Sequence, residues 1–215
     1  MEKKIIIRKF SKKDIEDVRR IACETAFGGS SRYDFFEDDE ILADLLTRYY
    51  TDYRPGYCFV ATCNGFVVGY IIGTKDVRIM NRIFYFIIIP GLFLKSIYRG
   101  LIFKRKTDIF IFHCIISFFK GEFSSPDFSL EYPATLHINI NKDFQRSGIG
   151  KMLIKKYLNF LKEKNIRSVH FGTTSEDAKD FFIKMGFKLL FAKKRTYMRY
   201  KTGKDEIFYV FGKEF

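Results

Sequence analysis

One short loop in this sequence has residue types and spacing that could do chemistry. It reads DFQRSGIGK, residues 143–151, and it places Gln145, Gly148 and Gly150 within six residues, directly before a helix pattern. Glycine has no Cβ, so a ligand can approach its backbone closely. Unpaired amides at a helix start favour negative charge, and Lys151 adds a positive charge. The loop therefore predicts an anion site suited to a phosphate group, with an ordinary tight turn as the alternative.

The elements that must position this loop follow from the apolar periodicity of the chain. The stretch ATLHINI alternates apolar and polar residues, which predicts a strand ending just before the loop. We predict one domain, residues 1–215, in the order β-α-α-β-β-insert-β-α-β-α-β-β, with the insert at about residues 77–131. The predicted strands are 4–10, 57–63, 66–74, 134–140, 166–173, 188–194 and 207–215; the predicted helices are 12–27, 41–53, the one following the loop to residue 164, and 175–187.

Several local signals fix the ends of these elements. Asn64-Gly65 stands between two β-rich runs and predicts a type I′ turn. Ser11 and Ser175 precede helix patterns and are predicted N-caps. Gly186 is predicted to end a helix in the left-handed conformation.

The insert is rich in Phe, Ile and Tyr, which predicts helices that bury one face. We expect these helices to be broken at Pro90-Gly91. The most apolar run, residues 83–94, is shorter than a membrane span and is closed by Lys95 and Arg99. No membrane span is expected.

Composition sets the broad class of the protein. The 215 residues are 47% hydrophobic, which excludes general disorder. The net charge of +13 fits nucleic acid, a membrane surface, a phosphorylated ligand or a solvated lysine-rich surface, so charge alone does not decide. The chain has no aromatic RNA-binding motif and no zinc-finger spacing, so we expect no nucleic-acid partner.

Cysteine and histidine positions bear on redox state and metals. The four cysteines are scattered without metal-site spacing, and we interpret them as reduced structural thiols with no metal. Cys58 and Cys63 are five apart in a strand pattern, so they are predicted to face opposite ways. The N-terminus carries charges on both sides of three isoleucines, which is not typical of a secretory signal, and we expect a cytoplasmic protein.

A second motif follows the glycine loop at a characteristic separation. The first motif is Q-x-x-G-x-G at residues 145–150, and the second is A-K-D-F-F-I-K-M-G-F at 178–187. Together they resemble the GNAT superfamily of acyl-CoA-dependent N-acyltransferases, where the motifs commonly read [Q/R]-x-x-G-x-[G/A] and A-x-x-F-Y-x-K-x-G-F. The resemblance covers residues 134–215 closely and 4–75 loosely. The stretch EYPATLHINI resembles, more narrowly, free-standing bacterial relatives of the acetyltransferase-like domain of the O-GlcNAc hydrolase.

The resemblance implies a fold and a co-substrate. The fold would be GNAT-type, of the α/β (α+β) class, with a central mixed, mostly antiparallel sheet flanked by helices and a helical insert before the cofactor strand. The co-substrate would be acetyl-CoA, with its pantetheine arm against the backbone of Ile138 and Ile140 and its pyrophosphate on the amides of residues 145–151. The residues that the resemblance assigns to acetyl-CoA are Ile138, Asn139, Ile140, Gln145, Arg146, Ser147, Gly148, Ile149, Gly150, Lys151, Ser175, Ala178 and Phe181.

One residue departs from the family motif at the position of the catalytic acid. Phe182 stands where the motif usually has Tyr, whose hydroxyl in the family often protonates the departing CoA thiolate. A phenyl ring cannot donate a proton, so Phe182 is not expected to be an acid. Tyr132, Tyr197 and Tyr200 are alternative donors.

Acetyl transfer to an amine also needs a base, because an ammonium of pKa about 10.4 must lose a proton before it attacks. His137 on the cofactor strand is the candidate base, with a packed or surface histidine as the alternative. Glu131 is a weaker candidate. His113 and His170 are interpreted as structural or solvated.

Three functions remain open at this point. The first is transfer of an acetyl group from acetyl-CoA to a primary amine, and the second is acetyl-CoA binding without catalysis. The third is binding of a membrane or nucleic acid by a basic aromatic surface. The acceptor (protein lysine, small amine, amino sugar or drug) and a homodimer are left open. We expect the insert to roof the acceptor site. Its cations Arg78, Arg82, Lys95 and Arg99 are expected to be solvated, with selection of an acidic acceptor as the alternative.

Overall fold

A computed structural model describes residues 4–29 and 31–215, so the first three residues of the segment judged not to be a secretory signal lie outside it. The strands are β1 Ile5–Lys9, β2 Phe59–Cys63, β3 Phe66–Thr74, β4 Ala134–Ile140, β5 Ser168–Thr173, β6 Lys188–Arg195 and β7 Glu206–Glu214. The helices are α1 Ile15–Thr25, α2 Asp39–Arg48, α3 Val77–Ile83, α4 Ile89–Tyr98, α5 Arg105–Phe119, α6 Ile149–Glu163, α7 Glu176–Lys184 and α8 Arg199–Thr202.

The strands form one seven-stranded sheet in the order β1-β2-β3-β4-β5-β7-β6. The β4–β5 pair is parallel and the other pairs are antiparallel. Helices flank the sheet, so the predicted fold class, a mixed and mostly antiparallel sheet with a helical insert before β4, is confirmed.

The core is divided between the two faces of this sheet. On one face, α6 buries Leu153, Ile154 and Tyr157 against β2 and β3. On the other face, α1 packs Val18 and Ile21 against the sheet. Side chains alternate between the faces along each strand, so each helix stripe meets one set of strand residues.

The predicted turn, helix end and cysteine orientation are all found in the structure. Asn64 and Gly65 both have positive φ, 50° and 86°, and connect β2 to β3 as predicted for a type I′ turn. Gly186 has φ 78° directly after α7, also as predicted. Cys58 and Cys63 lie in the cores on opposite faces of the sheet.

The insert differs from expectation at Pro90-Gly91. The chain does not break there: α3, a π-helical turn over Phe84–Ile88, and α4 form one helix, Val77–Tyr98. Pro90 lies in the first turn of α4, directly after the π turn, so the proline ring and its missing N–H fall where the bonding pattern of the helix already changes. The sequence also predicted an apolar segment shorter than a membrane span, which is wrong: this helix of 22 residues is long and apolar enough to cross a membrane, judged by length and composition alone.

Polar contacts bind the insert to α2 and its preceding loop. Lys95 Nζ lies 2.7 Å from Asp44 Oδ2, and Arg99 Nε lies 2.6 Å from Asp38 Oδ2. Within the insert, Arg78 Nε donates to Ser129 Oγ at 2.8 Å. Arg78, Arg82 and Arg99 are exposed, as expected for solvated cations, whereas Lys95 is half-buried beside Asp44. Arg78 and Arg82 have no salt bridge within the described residues.

Candidate active site

The site begins where β4 and β5 separate. The two strands pair at only two positions, Ala134 with Val169 and Thr135 with His170. Beyond Thr135, β4 continues to Ile140 on β3 alone. One edge of β4 is thus left without a strand partner over five residues, and a ligand with amide groups can pair there in place of a strand.

The register of β4 shows which backbone groups face this edge. Directly after β4, the Asn141 N–H donates to the Val68 carbonyl of β3. The pairing of β3 with β4 is regular from Gly69–Ile140 back to Thr74–Thr135. Because hydrogen-bonding residues alternate along an antiparallel ladder, the amides of Ile138 and Ile140 point away from β3. The Ile140 carbonyl accepts from Gln145 Nε2 at 3.1 Å, so Gln145 ties the loop to the end of the strand.

The glycine loop presents a row of unpaired amides next to this edge. The Met152 N–H donates to the Gly148 carbonyl, which is the first bond of α6. Within the described chain, the amides of residues 146–151 donate to no protein acceptor. Arg146 and Gly148 have φ 60° and 84°, so the backbone curls around the helix start. This arrangement of N–H groups at a helix N-terminus fits a phosphate group.

Gly148 and Gly150 have different surroundings, which the sequence did not predict. A Cβ on Gly148 would meet nothing within 4 Å, so the space above this residue is open. A Cβ on Gly150 would stand 3.2 Å from Ile140 Cδ1 and 3.3 Å from Phe181 Cζ. Gly150 is buried, and its missing side chain allows α6 to pack closely against β4 and α7.

The other residues assigned to acetyl-CoA surround the loop. Ser147 donates through Oγ to the Phe144 carbonyl, and Lys151 is exposed. The Arg146 side chain is exposed and lies 3.5 Å from Asp177 Oδ2 at the start of α7. Ile149 is buried in the core. Arg146 and Lys151 therefore add positive charge beside the amides.

The second motif forms the start of α7. Ser175 Oγ accepts from the Ala178 N–H at 3.2 Å, so the predicted N-cap is confirmed. Ala178 and Phe181 are half-buried and pack against the core that contains α6. The Ser175 hydroxyl accepts the cap bond through one lone pair, which leaves its proton and its second lone pair for another partner.

Phe182 lies among other phenylalanine rings in the core. It is 4% exposed, and its ring centroid is 4.4 Å from that of Phe171. The rings of Phe187 and Phe211 lie within 6 Å of it. In this structure Phe182 therefore contributes packing, and its ring carries no group that could protonate a thiolate.

His137 lies on the opposite face of β4, toward α1. Asn139 Nδ2 lies 3.0 Å from His137 Nε2 and 2.8 Å from Tyr70 Oη, and the Tyr70 ring stacks on the imidazole. Since the amide nitrogen is a donor, Nε2 is the acceptor and the ring is neutral. Burial lowers the pKa of His137 to about 4. His137 is thus unprotonated at neutral pH but a weak proton acceptor, with its Nε2 lone pair already occupied.

Sequence reasoning missed an aromatic cluster that joins α5 to the α1–α2 connection and to the segment between β6 and β7. Phe27 and Phe35 from the α1–α2 connection meet Phe110 of α5 at centroid distances of 5.5 and 5.8 Å. Tyr197 and Tyr200, from the segment between β6 and β7, contact Phe110 and Phe35. The five rings come from three distant segments, so no sequence spacing could have shown the cluster.

Two of the three alternative proton donors, Tyr132 and Tyr197, already have partners for their hydroxyl groups. Tyr197 Oη lies 3.3 Å from Glu206 Oε2, and burial raises the pKa of Tyr197. Tyr132 Oη donates to Glu214 at 3.2 Å, and Tyr200 stacks on His113 at 4.2 Å. Of these three tyrosines, Tyr197 and Tyr200 lie in the aromatic cluster.

Residues 133–198, which contain both motifs, match the family model described as the acetyltransferase (GNAT) domain. No curated protein matches the chain by sequence. The narrower likeness to relatives of the O-GlcNAc hydrolase domain stays a prediction.

Solved structures of acetyltransferases superpose over nearly the whole chain. A crystal structure of SsHAT has a TM-score of 0.68 and 20% identity, covering 98% of both chains. A Drosophila melanogaster polyamine N-acetyltransferase, which catalyses the formation of N-acetylagmatine, has a TM-score of 0.59 and 13% identity over 99% of this chain and 100% of that one. The Escherichia coli ribosomal-protein-S18-alanine N-acetyltransferase has a TM-score of 0.55 and 13% identity over 98% and 94%. The chain therefore has the GNAT fold, with residues 133–198 matching the GNAT acetyltransferase domain.

Proposed function

We propose that this protein is an acetyl-CoA-dependent N-acetyltransferase that moves the acetyl group directly to a primary amine. The observation that carries the proposal is the unpaired edge of β4 beside the unpaired amides of residues 146–151. The family match over residues 133–198 supports the same assignment.

In this proposal, the pyrophosphate binds to the amides at the start of α6, with Arg146 and Lys151 adding charge. The pantetheine amides pair with the free edge of β4 at Ile138 and Ile140, which directs the thioester toward the point where β4 and β5 separate. Both groups thus match backbone donors and acceptors that the protein leaves unpaired.

The amine approaches from the face of β4 that carries His137. Its lone pair attacks the thioester carbonyl, the C–N bond forms, and the C–S bond breaks to release CoA. The amine attacks in its unprotonated form, and the proton that its nitrogen loses as the amide forms passes through water to the departing thiolate. His137 takes no proton in this step, because its Nε2 already accepts from Asn139. Phe182 takes no part in this delivery, and a thiolate leaves readily enough that a strong acid is not needed.

A second function is acetyl-CoA binding without transfer. Two observations favour it: Phe182 has no hydroxyl, and the pKa of His137 is lowered to about 4. Both weaken the proton transfers that turnover needs.

One experiment separates the two functions. Acetyl-CoA affinity is measured by calorimetry, and release of CoA thiol is followed with a panel of amines, amino sugars and lysine peptides, with products identified by mass spectrometry. Binding with an acetylated product supports the transferase, and binding without turnover for any amine supports the second function. A folded protein that does not bind acetyl-CoA contradicts both.

A further inference from the structure

The outer surface of the insert is unusually apolar. Fifteen of the twenty-four exposed large apolar side chains in the described chain lie between residues 85 and 119. We call them the insert surface; they include Phe86, Phe93, Tyr98, Phe103, Phe112 and Phe119. Phe86 is 80% exposed and Tyr98 is 92% exposed. Soluble monomers rarely expose apolar surface on this scale, so the insert surface indicates a binding partner.

The inner faces of the same helices are fixed to the protein. Ile88 and Leu92 are buried in a core with Leu42 of α2, and Leu101 lies in the same core. Only 17% of the most apolar window of the Val77–Tyr98 helix is buried in total. One narrow face of the helix therefore packs against the domain, and its remaining apolar faces point outward.

Because of this attachment, the helix cannot leave the domain to cross a bilayer without disrupting the fold. Asp44 binds Lys95 and Arg19 together. Although burial favours the protonated acid, hydrogen bonds from Lys95 and Arg19 lower the pKa of Asp44. Removing the helix would leave Asp44 and the apolar residues of α2 exposed, so the helix stays on the domain and can only lie along a surface.

Charge distinguishes a bilayer from a second copy of the chain. Residues 76–122 carry eight Lys and Arg against three Asp and Glu, a difference of +5. Arg82, Lys104 and Arg105 are exposed at the borders of the insert surface and have no salt bridge within the described residues. A symmetric dimer through this surface would bring like cations together, which costs energy. An anionic bilayer offers hydrocarbon to the rings and phosphate to the cations.

The turn between α4 and α5 has the composition of a membrane interface. Tyr98 and Phe103 are both more than 80% exposed there, next to Lys104 and Arg105. Aromatic rings with adjacent cations are typical of segments at the level of lipid headgroups.

We propose that the insert surface binds the face of an anionic phospholipid bilayer, with the Val77–Tyr98 helix and α5 lying in the plane of the interface. This inference is independent of the proposed acetyl transfer, since it rests on surface outside the acetyl-CoA site. Because Phe110 of α5 packs against Phe27 and Tyr197, docking would place this aromatic cluster close to the membrane.

The test uses the absence of tryptophan from the chain. Phe93→Trp reports on the insert surface. Phe66→Trp is the matched control, because Phe66 is 76% exposed and begins β3, roughly 27 Å along the strand from its end at the insert. With mixed phosphatidylcholine–phosphatidylglycerol vesicles, we expect a blue shift of tryptophan emission for Phe93→Trp and none for Phe66→Trp.

Two further variants examine the two sources of binding. Phe86→Ser/Phe93→Ser/Phe112→Ser should reduce vesicle co-sedimentation at least about tenfold, because apolar burial is removed. Arg82→Gln/Lys104→Gln/Arg105→Gln should reduce it for the anionic vesicles, with circular dichroism confirming that each variant is folded. Absence of vesicle binding, or equal binding to phosphatidylcholine alone, overturns the proposal. A concentration-dependent dimer in ultracentrifugation that the serine substitutions dissociate, without lipid binding, also overturns it and assigns the surface to a second copy.

Discussion

Gly148 and Gly150 lie two residues apart at the start of α6, and only Gly148 has open space where a side chain would stand. Gly148 also has φ 84°, a conformation that residues with a Cβ rarely adopt. Gly150 instead allows contact between α6, Ile140 and Phe181. Gly150 therefore serves packing, whereas Gly148 leaves open space beside the unpaired amides of the loop.

The first prediction concerns Gly148. Gly148→Val should lower acetyl-CoA affinity at least about tenfold in calorimetry, because a branched side chain would occupy the phosphate position and disturb the amides. Gly203→Val is the matched control: Gly203 has φ 70° and open space around its Cβ, but lies before β7. If both variants bind acetyl-CoA as the wild type does, the loop is not the pyrophosphate site.

The second prediction concerns Gly150. Gly150→Val should lower the free energy of unfolding by about 1–3 kcal/mol, because its side chain overpacks the contact with Ile140 and Phe181. Urea unfolding measures this change. A variant that keeps wild-type stability and loses only acetyl-CoA affinity would assign to Gly150 the role that we give to Gly148.

Features governed by local chemistry could be predicted from the sequence. The order of strands and helices follows from apolar periodicity, and the turn at Asn64-Gly65 follows from the positive φ that both residues tolerate. The cap at Ser175 and the end of α7 at Gly186 depend on residues within four positions of each other. The amide row before α6 was predicted for the same reason.

Features that depend on contacts between distant parts of the chain could not be predicted from the sequence. The packing role of Gly150 requires Phe181, thirty-one residues away in sequence. The low pKa of His137 depends on its burial, beside Tyr70 and Asn139, which the sheet register brings together. The helix continues through Pro90 because the preceding π turn restarts the bonding pattern, and no sequence rule for proline anticipates that.

The third prediction is a pH dependence of stability caused by His137. Burial lowers the pKa of His137 from 6.5 to about 4, so between these values the unfolded chain binds a proton that the folded protein does not. The free energy of unfolding should therefore fall as the pH drops from about 6.5 to about 4, by at most about 3 kcal/mol from this residue. Its contribution is fully present above pH 6.5.

His137→Asn removes this titration. Between pH 7 and pH 4.5, the variant should lose less stability than the wild type by about 2 kcal/mol in urea unfolding. Equal losses in the two proteins would mean that His137 is protonated in the folded state and exposed to solvent.

The fourth prediction concerns the missing acid. Phe182→Tyr restores the hydroxyl that the family motif usually has. If the protein turns over without this acid, kcat should stay equal or rise, with general-acid help worth up to about 10²–10⁴-fold. Steady-state kinetics measures the change, with an amine that the panel experiment identifies as an acceptor. A large fall in kcat in a folded variant would mean that the hydroxyl disturbs the aromatic cluster around Phe171 or the thioester itself.

The last prediction tests whether the insert forms part of the acceptor site. Replacing residues 77–131 by a short link would also remove the contacts of Ile88 and Leu92 with α2, so loss of activity would not be specific. Phe110→Ala is sharper, because it removes only the ring of α5 that meets Phe27 and Tyr197. If the aromatic cluster lines the acceptor site, KM for the amine should rise by about tenfold while the acetyl-CoA affinity is unchanged, because the lost ring lies away from the loop at residues 145–151. Phe112→Ala, two residues along the same helix and 60% exposed, is the control and should leave both values unchanged. Wild-type KM in Phe110→Ala would mean that the aromatic cluster only closes the domain and does not contact the acceptor.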